Sequence, residues 1–209
     1  MISLELSNAL KVFKDEVAII YKKHEETFDI ESFHGRFHII RCLLLADLMY
    51  SYYKKHKITI DIEKSFYAIL FHDSKRQDNG EDLWELESSV LCYRYLIRKG
   101  FDSEFAYKTS IMILKDNDKL LEEQILYDVD VLDYNRFFYL PEERHRFKEY
   151  LIKFGWHYDV SGCKDIDARK EVIRIAQELV VFSQTLKVET PTDLLVKEFT
   201  EYYMKIKPW

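Results

Sequence analysis

Ala68-Ile69-Leu70-Phe71-His72-Asp73 is an apolar helical run that ends in an adjacent imidazole and carboxylate. Successive side chains on a helix point about 100° apart. This His-Asp pair is therefore badly placed to bond to itself, yet both groups reach one ion held beyond the helix end. Two ligands leave a divalent cation mostly unprotected. Working outward, His38 upstream and Asp130 downstream each lie inside an apolar helical pattern, which gives a candidate donor set of His38, His72, Asp73 and Asp130. Taken alone, His38 reads first as a core histidine satisfied by a backbone carbonyl; the matched pair downstream turns the reading toward a ligand.

The whole chain sets the bounds. Its 209 residues suit one domain, 47% of them hydrophobic and 33% charged, enough apolar content to bury a sizeable core. Only 5 Gly and 3 Pro occur, which favours long helices. No apolar run reaches the roughly 18 residues a membrane helix needs, and the N-terminus lacks a secretory apolar region, so a cytoplasmic protein with no membrane partner is expected. Cys42, Cys92 and Cys163 are far apart and odd in number, which supports neither a disulfide framework nor a CxxC zinc site. The net charge of -6 disfavours a surface built to bind a nucleic-acid duplex, because that needs a basic field to displace counterions. A local basic pocket for one phosphate remains compatible with it.

Along the chain, apolar residues recur at helical spacing. A first amphipathic helix is expected over residues 7–24 with Ser7 as its cap, and His24 at its polar end reads as solvated. The next runs over 37–54, with Cys42, Leu45, Ala46 and Met49 sharing a face with His38. His34, four residues before His38, reads either as a helix-start residue or as a catalytic group on the substrate side. A third helix starts at Asp61, a fourth covers 83–99 and is closed by Lys99-Gly100, and a fifth follows the capping residues Asp102 and Ser103. The sixth spans about 120–137 and carries Asp128, Asp130 and Asp133. Asp128 reads as an exposed helix acid, and Asp133, three residues before Arg136, as structural or functional alike. Three further helices are expected between 141 and 206, with an irregular connection at 156–164 that holds His157. After the His-Asp pair, residues 74–82 read as a loop with an Asn-Gly turn. Lys75 and Arg76 there are candidates to bind a phosphoryl oxygen, against the plainer reading of an exposed basic pair.

The order His, His-Asp, Asp resembles the HD superfamily of metal-dependent phosphohydrolases. Ser32-Phe33-His34-Gly35-Arg36-Phe37-His38-Ile39-Ile40-Arg41-Cys42 is similar to the HGxxHxxRV form of the first HD helix, and Asp128-Val129-Asp130-Val131-Leu132-Asp133 to the DADxLD helix. The resemblance covers about residues 30–137. It implies an all-α, HD-domain-like helical bundle of about eight to nine helices, a single domain over 1–209 whose last helices complete the bundle, and one catalytic ion held by His38, His72, Asp73 and Asp130. Relatives that hold two ions take extra histidines from the region of Glu85 and from the fifth helix, where this chain has none. That argues for one ion and against oxygen chemistry. Those that cleave guanosine tetraphosphate carry a Glu-Asp pair where Arg76 and Gln77 stand, and the GYP signature of the cyclic-dinucleotide enzymes is absent.

Two imidazoles and two carboxylates suit Mn, Fe, Zn, Ni or Mg. The expected activity is hydrolysis of a phosphoester or phosphoanhydride of a nucleotide or another small phosphorylated metabolite, with Asp73 orienting the water. Two alternatives stay open: a non-catalytic HD module that senses a nucleotide or a metal, and a purely structural helical protein.

Overall fold

Ser3 starts the first helix because its hydroxyl accepts the backbone N–H of Leu6 at 3.1 Å. The cap expected at Ser7 therefore moves back one turn, and Ser7 itself lies inside the helix. The computed structural model describes residues 2–78, 84–115, 120–137 and 166–209. These residues form an all-helical bundle, with no strand among them. The helices are α1 (Leu4–Val12), α2 (Ala18–Thr27), α3 (Arg36–Lys55), α4 (Ile62–Phe71), α5 (Trp84–Arg98), α6 (Ser103–Ile111), α7 (Leu121–Asp133), α8 (Ile166–Ser183) and α9 (Thr192–Ile206). A π turn, Phe13–Val17, joins α1 to α2, and 3-10 turns, Met112–Leu114 and Tyr134–Phe137, follow α6 and α7. The seventh helix and the 156–164 connection expected from the sequence, with His157 and Cys163, lie outside the described residues. No described helix is long and apolar enough to cross a membrane.

The core is built around α3. The sequence suggested one inward face, but α3 is buried all round, from Arg36 through Met49 and again at Tyr52 and Tyr53. A helix that is apolar on every side belongs in the centre of a bundle, and α3 touches α1, α2, α4, α7, α8 and α9. Its one interior acid, Asp47, is satisfied by the Ser3 hydroxyl at 2.5 Å, the Tyr203 hydroxyl at 2.9 Å and the Lys207 ammonium at 3.0 Å. These bonds tie both ends of the chain to the middle of α3.

The segment before α3 is fixed with equal care. Asp29 accepts the backbone N–H groups of Phe33 at 2.9 Å and His34 at 2.8 Å. Glu25 accepts from the Arg36 backbone and its guanidinium, both at 2.7 Å. Arg36 then reaches the Thr190 carbonyl at 2.9 Å, the Thr192 hydroxyl at 3.0 Å and the Val188 carbonyl, joining the start of α3 to the α8–α9 connection. Gly35 is required here by close approach, since a Cβ would collide with the Ser32 hydroxyl and the Glu25 side chain. The sequence placed His24 in solvent, but α2 continues to Thr27 and the ring is buried between Tyr21 and Phe28, at centroid distances of 5.4 and 5.0 Å.

After α5 the chain turns as the Lys99-Gly100 signal predicts. Gly100 adopts φ 88°, its N–H bonds to Ile97, and the Phe101 N–H bonds back to Leu96 at 3.1 Å. Asp102 caps α6 through the Phe105 N–H at 2.9 Å. These turns fold α5 and α6 back against α4, so that the end of α4 faces both α3 and α7.

Candidate metal centre

His72 occupies the position just past the last turn of α4, and Asp73 follows it. The Nδ1 of His72 lies 2.8 Å from the Ile69 carbonyl. A carbonyl oxygen only accepts, so this nitrogen carries the proton and Nε2 is left with its lone pair. On α3, the Nδ1 of His38 lies 2.7 Å from an Asp133 carboxylate oxygen. That carboxyl is held well below the ordinary range, because the Arg41 and Arg136 guanidiniums and His38 more than offset its burial. It too only accepts, and the Nε2 of His38 is likewise a bare acceptor when the ring is neutral.

The two Nε2 atoms face each other at 3.0 Å. Asp73 presents one oxygen 3.5 Å from each of them, and Asp130 on α7 presents one at 3.6 Å from His38 and 3.8 Å from His72. The donor atoms of His38, His72 and Asp73 lie within 4.8 Å of one another, with Asp130 flanking them. Two neutral imidazoles with facing lone pairs repel unless a cation or a proton lies between them. The donor set thus fits a divalent ion.

The two carboxylates make the centre a place that favours positive charge, and the two rings respond in opposite directions. Burial acts to lower the His72 pKa, but Asp73 and Asp130 outweigh it and hold it above its ordinary value. Burial, with Arg136 adding to it, pulls His38 below its own. Asp73 and Asp130 are both held low despite burial, Asp73 by the imidazoles around it and Asp130 chiefly by Lys115.

A second group of close donors, His38, Cys42 and Asp133, does not suit an ion. Asp133 is saturated by Arg41 at 2.6 and 2.8 Å and by Arg136 at 3.1 Å. Burial pushes the Cys42 thiol far up, so it stays protonated. Asp133 is instead the group that aims His38. Arg41 is its main partner, one turn after His38 on the same face, and sequence reading gave it no role. Asp128, expected to be exposed, is buried and accepts from the Gln124 amide at 3.0 Å; α7 packs against both α3 and α4, which the acidic pattern alone does not reveal.

Of the remaining sequence candidates, His34 is buried with its ring 6.1 Å from that of His38. Burial, reinforced by Arg136, pushes it down to about 2, so its imidazole is neutral at neutral pH. Arg76 lies 3.3 Å from the outer oxygen of Asp73 and stacks over Trp84 at 3.7 Å from the ring centre. Lys75 is exposed, and its backbone N–H bonds to the Ser88 hydroxyl at 3.1 Å. The structure adds Lys115, which sequence reading passed over: its ammonium is 2.6 Å from the outer oxygen of Asp130. The only sequence signal was a lysine closing the apolar run Ile111-Met112-Ile113-Leu114. A cavity of about 440 Å³ lies on the guanidinium side of Asp133, lined by Arg41, Arg136, Phe33 and Phe37, and includes none of the four donors. No family model, no curated protein and no solved structure matches this chain.

Proposed function

We propose that this protein is a metal-dependent phosphohydrolase that cleaves a phosphoester or phosphoanhydride bond in a nucleotide or another small phosphorylated metabolite. The observation that carries this reading is the pair of Nε2 atoms 3.0 Å apart, each left with a lone pair by a fixed Nδ1 donor and flanked by two carboxylates. His38, His72, Asp73 and Asp130 would hold the ion. When bound, a divalent cation supplies charge neutralisation at a phosphoryl oxygen and lowers the pKa of a nearby water toward neutrality.

The chain's own residues supply the rest. Asp133 and the Ile69 carbonyl fix which nitrogen each imidazole presents. Asp73 is placed to accept a hydrogen bond from the attacking water, and Arg76, stacked on Trp84, offers a planar cation beside it. Hydrolysis then forms a P–O bond to water and breaks the bond to the leaving oxygen, which takes up the water's proton. The residues that bury His38 and His72 keep bulk water from competing at their lone pairs.

A second reading, a module that senses a nucleotide or metal without turnover, is favoured by a separate fact. Asp73, Asp130 and Asp133 are each paired with a guanidinium or an ammonium, so none of these three is a free acid for a leaving group. One experiment separates the two. The protein is purified without chelator, its metal content is measured, and it is assayed on phosphorylated substrates with added Mn²⁺ or Mg²⁺. Turnover that disappears in Asp73→Ala, together with a loss of more than about 100-fold in Mn²⁺ affinity, supports the hydrolase. Metal without turnover supports the sensor, and no metal uptake refutes the hydrolase and a metal sensor alike.

A further inference from the structure

The two outer carboxylates of the centre are arranged alike. Each turns one oxygen toward the imidazole pair and the other toward a cation: Asp73 toward Arg76, three residues further along the same turn, at 3.3 Å, and Asp130 on α7 toward Lys115 after α6 at 2.6 Å. Lys115 sits just past the 3-10 turn Met112–Leu114 with φ 56°. That left-handed conformation is costly for any residue with a Cβ, and helix ends that use it usually carry Gly or Asn. The ammonium is partly buried, and Asp130 is its one hydrogen-bond partner among the described residues. Glu85, at the start of α5, lies within its electrostatic reach but forms no ion pair with it. An ammonium has three donors, so two remain unspent at the edge of the centre.

We infer that Lys115 acts with Arg76 to bind the non-bridging oxygens of a terminal phosphoryl group, so that the substrate is a phosphomonoester or a terminal anhydride phosphate and not a diester. The inference rests on the reading of this centre as a metal-dependent phosphohydrolase. A terminal phosphoryl group has three non-bridging oxygens and a diester has two. An ion between the imidazoles, Lys115 on the α7 side and Arg76 on the α4 side make three separate cationic partners, which is the arrangement that stabilises charge on a transferring phosphoryl group. The pairing with Asp130 also fixes where the ammonium sits, so its remaining donors are aimed before substrate arrives.

The test uses the full chain loaded with Mn²⁺, with inorganic phosphate and dimethyl phosphate as probes in titration calorimetry. Lys115→Gly deletes the ammonium while relieving the left-handed backbone, so it keeps the fold; Lys115→Arg restores a cation. Wild type is expected to bind phosphate at least about tenfold tighter than dimethyl phosphate, Lys115→Gly to lose about tenfold or more for phosphate alone, and Lys115→Arg to recover part of it. Mn²⁺ affinity, measured separately, should not fall in either variant, since Lys115 is a competitor and not a partner of an ion at Asp130. Phosphate binding unchanged within about twofold in Lys115→Gly, with Mn²⁺ still bound, overturns this inference and leaves the centre standing. A wild type that binds no Mn²⁺ overturns the centre and the inference with it.

Discussion

Replacing Asp133 by Asn keeps the shape of the side chain and removes its charge, which makes it the most informative single change in the molecule. Asp133 accepts from the Nδ1 of His38 at 2.7 Å, from Arg41 at 2.6 and 2.8 Å, and from Arg136 at 3.1 Å, all in the buried interior. Loss of the carboxylate takes a close counter-charge from two buried guanidiniums, and breaking a buried pair from one side costs about 3–5 kcal/mol. For a chain of this size each kcal/mol moves the melting temperature by about 2–4 °C, so the metal-free variant should melt about 10 °C lower or more. The amide also stops dictating which His38 nitrogen carries the proton, so Mn²⁺ affinity should fall about 10- to 100-fold. Thermal melts and calorimetric Mn²⁺ titrations read the two effects separately. Adding Leu at both positions 133 and 41 should recover part of the stability, since apolar groups can replace a buried ion pair. It should recover none of the Mn²⁺ affinity. A melting temperature within about 2 °C of wild type in Asp133→Asn would falsify the claim that this carboxylate is the electrostatic anchor of α3 and α7. An unchanged Mn²⁺ affinity would refute its role in setting the His38 tautomer.

Two other outcomes follow from the segment that leads into α3. Gly35→Ala places a methyl against the Ser32 hydroxyl and the Glu25 carboxylate; it should cost about 1–3 kcal/mol in urea unfolding, and a loss under about half a kcal/mol would show that this turn relaxes freely. Burial pushes Asp29 up to about 6 against the two N–H donors it accepts. Its folded pKa lies above the unfolded value of 3.8, so its contribution is fully present below that value and is lost as pH rises through about 6. The stability of wild type relative to Asp29→Asn should therefore decline between about pH 4 and 6, and a difference that is flat or rises across that window counts against the buried, proton-retaining state of Asp29.

The four donors were legible because each lies in a local pattern. His72-Asp73 closes an apolar run, and His38 and Asp130 sit inside apolar helical stripes, so an approximate inward direction follows from spacing, while their selection as one ligand set came from the order of the motifs. Asp133 could only be half read: Arg136 at three residues' separation is a helix neighbour, but the Arg41 and His38 contacts come from another helix. His24 and Asp128 were misread for the same reason. A polar residue on a helix reads as exposed until another element is known to cover it; α3 packs on α2, and α3 and α4 pack on α7.

What the amino-acid order determined is the all-helical character, from a low content of Gly and Pro and a sustained helical period, together with the turn at Gly100; it also supplied the candidate set of His38, His72, Asp73 and Asp130. Tertiary structure alone decided that α3 is central and buried on all sides, that the outer oxygen of Asp130 rests on Lys115, and that Asp133 governs the proton on His38. Periodicity is a property of neighbours three or four residues apart, and so it is written in the chain. Charge pairing across 15 to 95 residues depends on how helices pack, and no local rule encodes it.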